Sequence, residues 1–188
     1  VGGQGNFKTL LEDEELDVVL EAFCENLRGT NTQDARVVLT SYGQQLNTIL
    51  QERTSSIVER VKKDGEDFVK SFLDCNEEAV QTESGLVYYE MTAGDGEHTA
   101  LANTVEVHYH VCLTYGTVVD SSVDRGQTIS FTLGGVIKGW QEGVALMKEG
   151  GKATLVVPSD LAYGDEGSGE VIPPGATLVF SVELFKVE

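Results

Sequence analysis

The 188-residue sequence predicts an α+β protein, in which an N-terminal α-helical module with a long stalk helix precedes a C-terminal antiparallel β-sheet wrapped on one short helix. Up to about residue 80, apolar side chains recur three and four positions apart, which is typical of amphipathic helices. After Ser84 they alternate with polar side chains, and clusters of glycine and proline separate the alternating runs, which is typical of strands and turns. The hydrophobic content of 40% is enough for one sizeable core.

The first helix is predicted from a single stripe of apolar residues. Leu16, Val19, Leu20 and Phe23 follow the spacing of one helix face. Gly29 then provides a C-terminal stop, because glycine adopts the left-handed conformation that ends many helices.

A second, much longer helix is predicted from Ser41 to about Leu73. Ser41 is followed three residues later by Gln44, which fits the capping box at the start of many helices. A helix of roughly 33 residues is about 50 Å long, which exceeds the diameter of a small domain. We expect its first half to pack on the short helices and on a second copy of the chain, and the charged residues 59–72 to form a solvated stalk. A monomeric helical hairpin is the alternative.

The second half of the chain contains the predicted strands. The most regular alternation runs from Val105 to Leu113 and places five apolar residues on one face of a strand. Further strands are predicted around 131–133 and over 153–157 and 176–184, with one short helix over 140–148. We therefore divide the chain into a helical module, residues 1–80, and a sheet domain, residues 81–188.

The composition excludes several classes of function. The net charge of −18 comes without a basic patch in either half, which argues against binding to nucleic acid or to anionic membranes. The acidity serves solubility or, alternatively, attracts basic client proteins. No apolar run approaches the roughly 18 residues of a membrane span.

The three cysteines do not indicate a metal site. Cys24, Cys75 and Cys112 are widely spaced and form no CxxC or Cys/His cluster, so no zinc site is predicted. Free thiols are expected, and a disulfide between subunits through Cys24 or Cys75 is the alternative.

The second half indicates an apolar pocket rather than acid–base chemistry. No Ser/His/Asp order, phosphate-binding glycine loop or carboxylate pair flanking a cleft stands out. His108 and His110 flank Tyr109 on the polar face of their strand and are expected at the surface. The only tryptophan, Trp140, directly follows Gly139. A site of this composition holds an apolar group and orients it with a few polar contacts.

Four segments of the second half are those of one protein family. They read VEVHYHVCL, VVDSSVDRGQTISFTLG, VIKGWQEGVALMKEGGKATLVVPSDLAYG and GEVIPPGATLVFSVEL, in the family's order over about residues 84–188. On these residues the second half resembles the FKBP-type peptidyl-prolyl cis–trans isomerases. The first half resembles, more loosely, the N-terminal module of the macrophage infectivity potentiator (Mip) subfamily, through DEELDVVLEAFCENLRG, LTSYGQQL and SGLVYYEM.

The resemblance implies a site at which Trp140 forms a floor for a proline ring. It implies that the Tyr163 hydroxyl and the Ile137 backbone N–H donate to a substrate carbonyl, and that Asp120 is a polar group at the rim, oriented by Arg125. The implied catalytic residues are Asp120, Tyr163, Trp140 and Tyr109, and the implied substrate-binding residues are Val136, Ile137, Phe131, Phe180, Ile172, Val171, Arg125, Val119 and Ile129.

Three positions depart from the family's commonest pattern. Val119 stands where an aromatic residue usually precedes the aspartate, and Ile129 stands where the family often has an aromatic or proline-adjacent apolar residue. Ser168 replaces a residue that is often histidine. These departures predict a thinner pocket wall.

The activity implied by the resemblance is the acceleration of X–Pro bond rotation in unfolded or partly folded proteins, without a cofactor or metal. The resemblance also implies a homodimer formed through residues 1–80. Proline-containing polypeptides are the expected clients, and macrolides such as rapamycin and tacrolimus are candidate ligands. The alternative is a proline-segment binding or holdase module with little turnover. The first ten residues lack the pattern of a signal peptide, and a periplasmic or other secretory compartment is favoured over the cytoplasm.

Overall fold

The computed structural model describes residues 11–30 and 35–188, which divide into two compact units, one ending at Ile57 and one comprising Val58–Glu188. The first ten residues, in which no signal-peptide pattern was found, lie outside the described part. No helix within the described ranges is long and apolar enough to cross a membrane. The boundary near residue 80 stays a prediction.

The first helix, α1 (Asp13–Arg28), agrees with the predicted one. Three acidic residues occupy its first turn and Arg28 its last, so the charge at each end is opposite to that of the helix dipole and interacts favourably with it. Gly29 follows with φ 66°, in the left-handed conformation that was predicted to stop the helix.

The second helix, α2 (Ala35–Cys75), is longer than predicted, with 41 residues. It begins six residues before Ser41, so the start predicted from Ser41 and Gln44 is wrong. No glycine or proline lies between Ala35 and Ser41, and nothing there stops the helical hydrogen bonding from extending towards the N-terminus. The helix ends where the Asn76 side-chain amide donates to the Phe72 carbonyl at 2.8 Å.

The unit that ends at Ile57 has no core of its own among its described residues. None of the described side chains in it is buried. Its best-defined internal contact is a two-pronged ion pair, in which Arg53 donates to the two carboxylate oxygens of Glu15 at 2.6 and 2.9 Å. This pairing lowers the pKa of Glu15 to about 2, chiefly through the hydrogen bond from Arg53.

The unit from Val58 onward is built on an antiparallel sheet. The strands are β1 (Val80–Gln81), β2 (Val87–Thr92), β3 (Thr104–Leu113), β4 (Val118–Ser121), β5 (Ile129–Thr132), β6 (Lys152–Val157) and β7 (Leu178–Val187). Within the described residues they follow the order β1-β2-β6-β7-β3-β4, and β5 also pairs with β3. Burial alternates at every residue of β3, as predicted from its sequence. The predicted α+β fold class is thereby confirmed.

One short helix, α3 (Lys138–Ala145), contributes to the same core as the sheet. It begins two residues before the predicted start at Trp140 and ends three residues before Lys148. Ile137 is extended, with φ −57° and ψ 151°, and precedes the first helical turn. Single turns of 3-10 helix lie at Leu133–Gly135 and Ser159–Leu161.

The C-terminal part of α2 is not a fully solvated stalk, contrary to the expectation for residues 59–72. Val58 is buried and Val61 packs against the core cluster. Phe72 contacts the Tyr89 ring edge-on, with the centroids 6.2 Å apart. The charged residues of this segment lie between apolar ones at helical spacing, so one face is buried while the other stays in water.

Candidate active site

A cavity of about 400 Å³ lies among the buried aromatic residues of the second unit. Its lining comes from β3, β4, β5, β7, the start of α3 and the segment between β6 and β7. The lining residues are Tyr109, Val111, Val119, Asp120, Phe131, Gly135, Val136, Ile137, Trp140, Tyr163, Ile172, Leu178 and Phe180. The structure therefore brings together ten of the thirteen residues that the sequence proposed for the site.

Trp140 lies within this cluster with only 3% of its surface exposed. The rings of Tyr109, Phe131 and Phe180 meet it edge-on, with centroids 5.6, 5.4 and 5.5 Å away. Such edge-to-face contacts are favoured by the charge distribution of aromatic rings. The indole N–H is buried without a hydrogen-bond partner in the described part of the chain, so packing holds the ring in place.

Two glycines allow Trp140 to reach this position. A Cβ atom on Gly139 would lie 2.3 Å from Val157 Cγ1, and one on Gly143 would lie 2.7 Å from Leu155 Cδ1. Only residues without a side chain allow α3 to approach β6 this closely. The close approach fixes α3, and with it Trp140, against the sheet.

A charged group lies at one side of the cavity. Asp120, on β4, accepts hydrogen bonds from the Tyr109 hydroxyl and from the Arg125 guanidinium. Arg125 also donates to the Tyr109 oxygen at 3.1 Å, and the Ser121 amide donates to Asp120 at 2.8 Å. Every partner of the carboxylate is a donor, so the group is held as an anion in a fixed orientation.

These contacts shift the pKa values of the two acids in the group. The pKa of Asp120 is lowered, chiefly by the hydrogen bond from Tyr109 and further by Arg125 and the Ser121 amide, against the opposing effect of burial. The pKa of Tyr109 is raised, first by burial and then by its bond to Asp120. Asp120 is thus a carboxylate and Tyr109 a neutral phenol over a wide pH range.

Two hydrogen-bond donors remain free for a ligand. Tyr163 lines the cavity with 42% of its surface exposed, and its hydroxyl bonds to no described residue. The Ile137 backbone N–H meets no acceptor among the described residues either, whereas the Ile137 carbonyl accepts from the first turn of α3. An apolar cavity with two free donors suits an apolar ring flanked by carbonyl groups.

Three proposed site residues lie outside the cavity lining. Arg125 is not part of the lining, but it donates to the Asp120 carboxylate and to the Tyr109 oxygen. Val171 is 48% exposed, beside the buried Ile172. Ile129 packs against the core and lies opposite Val107 on β3.

The structure adds three lining residues that sequence reasoning missed. They are Val111, Gly135 and Leu178. Val111 lies two residues after Tyr109 on the same face of β3, so the strand period alone was enough to find it. Leu178 lies two residues before Phe180 on the same face of β7, so the strand period indicates it in the same way. Gly135 has no side chain, and no sequence signal distinguishes it.

The polar face of β3 lies away from the cavity. His108 and His110 are half-buried rather than fully exposed, and His108 Nδ1 lies 3.0 Å from Ser122 Oγ. The described residues contain no group of three or more His, Cys, Asp or Glu side chains placed to hold a metal ion. The three cysteines form no disulfide with one another within the chain.

Known proteins share both the sequence and the fold. A family model described as FKBP-type peptidyl-prolyl cis-trans isomerase matches residues 96–185. A probable FKBP-type peptidyl-prolyl cis-trans isomerase of Haemophilus influenzae is 43% identical over 135 residues, which are 72% of this chain and 56% of that protein. A probable FkpA of Neisseria meningitidis serogroup B is 36% identical over 186 residues, covering 94% of this chain and 68% of the relative.

A solved structure matches most of the chain. The crystal structure of FkpA from Escherichia coli aligns with a TM-score of 0.76 at 31% identity, over 95% of this chain and 83% of that one. The fold and the site define an α+β domain whose sheet and short helix enclose an aromatic-floored pocket. The chain belongs to the FKBP-type peptidyl-prolyl cis-trans isomerase family. The match to FkpA, a Mip-like member, confirms the predicted subfamily resemblance. The chain spans little more than half the length of the Haemophilus relative.

Proposed function

We propose that this chain catalyses cis–trans rotation of X–Pro bonds in polypeptides. The observation that carries the proposal is the Trp140 floor. It is a nearly fully buried indole beside a cavity of about 400 Å³, with three aromatic rings packed edge-on against it. A proline ring is an apolar group of suitable size, and the free donors of Tyr163 and Ile137 suit the carbonyls next to it.

The chemistry requires no group to be attacked or ionised. Amide resonance sets a barrier of about 18–20 kcal/mol to rotation of the X–Pro bond. The twisted amide of the transition state has lost this resonance and carries less charge on its oxygen than the planar ground state. An apolar cavity that excludes water therefore binds the twisted form better than the planar form, and this difference is what accelerates a reaction.

The polar groups then limit which part of the substrate moves. Hydrogen bonds from Tyr163 and the Ile137 N–H hold one carbonyl while the other side of the amide turns. Asp120 keeps Tyr109 and Arg125 in fixed positions at the rim. A rate gain of about 10⁴ to 10⁶ requires about 5–8 kcal/mol, which exclusion of water and two or three positioned contacts supply.

A protease-coupled assay with a proline-containing peptide tests this proposal. We expect the wild-type chain to accelerate isomerisation, rapamycin to inhibit it, and Asp120→Ala to lower kcat/KM by about tenfold through loss of the oriented rim. Asp124→Ala is the matched control, because Asp124 is an exposed aspartate nearby whose carboxylate bonds to no described residue. No acceleration by folded wild-type protein contradicts the proposal.

We also propose that residues 1–80 form a homodimer. The supporting observation is the exposed apolar surface on the helices before Ile57, in a unit whose described side chains are all at least partly exposed. The large apolar residues exposed there are Val18, Val19, Leu20, Phe23, Leu27, Val37, Tyr42, Leu46 and Ile49. Exposed apolar surface of this extent is unusual in a monomer and indicates an interface, and a second copy offers the same surface in return.

Adjacent positions on α2 provide a matched test of the dimer. Leu46→Glu places a charge on the apolar surface, whereas Gln45→Glu places the same charge one residue away at an exposed polar position. Sedimentation is expected to show a dimer for the wild type and for Gln45→Glu, and a monomer or weakened dimer for Leu46→Glu. A monomeric wild type contradicts the proposal.

A dimer presents two pockets to one unfolded client, and the second contact gains from the high local concentration. We therefore propose a role as a folding helper for proline-containing polypeptides. The expected result is that Leu46→Glu keeps its activity on short peptides but loses activity on a protein whose refolding is limited by proline isomerisation. Equal loss on both substrates contradicts this role. A holdase without turnover would suppress aggregation in the same experiment but leave the refolding rate unchanged.

A further inference from the structure

The segment between β6 and β7, residues 158–177, forms the side of the cavity that carries Tyr163 and Ile172. Its backbone hydrogen bonds stay within the segment: Gly164 N donates to Ser159 O at 2.8 Å, and Gly175 N donates to Gly164 O at 3.0 Å. No backbone bond joins it to another part of the described chain. The paired ends of β6 and β7 anchor the segment at Val157 and Leu178. Between these two ends its position relative to the cavity depends on side-chain contacts.

One of those contacts comes from Lys62 on α2. Its ammonium group donates to Asp160 Oδ1 at 3.2 Å and forms an ion pair with Asp165 Oδ1 at 2.6 Å. Asp160 lies three residues before Tyr163, and Asp165 lies two residues after it. A single lysine thus binds both ends of the turn that presents the Tyr163 hydroxyl.

The backbones of α2 and this segment also meet closely. A Cβ atom on Gly65 of α2 would lie 2.2 Å from Thr177 Oγ1, and one on Gly175 would lie 3.0 Å from the Val58 carbonyl oxygen. Gly65 is buried although it lies in the middle of a charged helical stretch. These contacts bring the helix near enough for Lys62 to reach both aspartates.

We propose that Lys62 is a positioning residue for the isomerase site, holding Tyr163 towards the cavity through Asp160 and Asp165. The proposal rests on the proposed function. According to this proposal, α2 from Val58 onward helps to position a residue of the site and is not only a connection to the first unit. Lys62 itself does not line the cavity, so it acts only through the segment that it holds.

The expected effect is moderate, because the three side chains are partly exposed. Lys62 is 33% exposed, Asp160 80% and Asp165 63%. Ion pairs of this exposure are weak and screened by salt. We expect Lys62→Met to lower kcat/KM on a short proline peptide about threefold, and Lys62→Arg, which can bridge both carboxylates, to restore most of the loss.

The experiment uses the full chain and compares Lys62→Met with Lys63→Met. Lys63 is the next residue of the same helix, is exposed, and forms no ion pair in the described structure. Each change is made in the wild type and in Tyr163→Phe. A residue that acts through the Tyr163 hydroxyl has no further effect once that hydroxyl is absent. Amide hydrogen exchange at Gly164 and Gly175 is measured on the same proteins.

The expected result is a loss in Lys62→Met alone, absent in the Tyr163→Phe background, with faster exchange at Gly164 and Gly175 and unchanged exchange in β3. Equal activity of Lys62→Met and Lys63→Met overturns the proposal, as does the same loss in both backgrounds. If the wild type shows no turnover, the proposed function fails by itself. Amide exchange then decides whether Lys62 holds the segment, and unchanged exchange at both glycines overturns it.

Discussion

The two sides of the cavity are held in different ways. On one side Trp140, Tyr109 and Phe180 belong to the buried core, so the residues that form the pocket also hold the domain together. On the other side the segment 158–177 bonds mainly to itself and carries Tyr163, which is 42% exposed. Ile172 and Ala176 of the segment also belong to the core, but Tyr163 does not. Substitutions on the core side should therefore change stability and activity together, whereas substitutions at exposed positions of the segment such as Tyr163 should change activity alone.

The strongest test of the core side is Trp140→Ala. Removing a buried indole is expected to cost about 3–5 kcal/mol of unfolding free energy, and the loss of the floor should lower kcat/KM by at least about thirtyfold. Urea denaturation and the peptide assay measure the two effects. If Trp140→Ala keeps the wild-type stability but loses activity, the core side does not link stability to activity, and the comparison is contradicted.

Gly139→Ala tests whether close packing of α3 sets the floor. Its new Cβ would lie 2.3 Å from Val157 Cγ1, and overpacking of this kind costs about 1–3 kcal/mol. Gly43→Ala on α2 is the control, because a Cβ there meets nothing within 4 Å. Thermal unfolding should show a lower Tm for Gly139→Ala and no decrease for Gly43→Ala. An unchanged Tm for both would contradict the packing account.

Tyr163→Phe tests the segment side. It removes the hydroxyl but leaves the ring, so kcat/KM should fall about three- to tenfold, as for one lost hydrogen bond. The Tm should stay close to the wild-type value, because Tyr163 bonds to no described residue. A clear drop in Tm would show that this side is also part of the stabilising core.

The smallest predicted effect concerns pH and the Asp120 group. A carboxylate whose folded pKa is lowered stabilises the fold above its unfolded pKa of about 3.9 and loses that contribution as the pH falls through the folded value. Tyr109→Phe removes the largest cause of the lowering, so the Asp120 carboxyl should titrate at a higher pH. Carbon-13 NMR of this carboxyl follows the change, with Tyr115→Phe, an exposed tyrosine, as the control. An unchanged titration would exclude Tyr109 as the main cause.

Local patterns were sufficient to predict most of the fold. The period of two in β3 and the i, i+3, i+4 spacing of α1 depend on neighbouring residues, and both elements form as predicted. The start of α2 was misplaced because a capping-box pattern can also occur inside a helix. The buried face of α2 after Val58 was missed, because the residues that contact it, such as Tyr89 and Thr177, come from outside the helix and no pattern within the helix indicates them.

In the site too, contacts between residues distant in sequence could not be predicted from local patterns. Its aromatic residues and Asp120 were identified through the family's motifs, and the structure brings them together in one cavity. The ion pairs from Lys62 to Asp160 and Asp165 join residues about a hundred positions apart. No local pattern indicates such a contact, and only the folded chain shows that a helix outside the motifs contacts the segment that carries Tyr163.

The measurement that tests the central claim most directly is NMR exchange spectroscopy on a proline peptide at equilibrium, with catalytic amounts of protein. Trp140 is the only tryptophan in the chain, so its fluorescence reports peptide binding at the cavity in every sample that retains this residue. We predict that the wild-type chain produces exchange cross-peaks between the cis and trans forms without changing their ratio, and that Trp140→Leu, Asp120→Ala and rapamycin each weaken them. Peptide binding seen by fluorescence without faster exchange would contradict the isomerase account and identify the domain as a binding module.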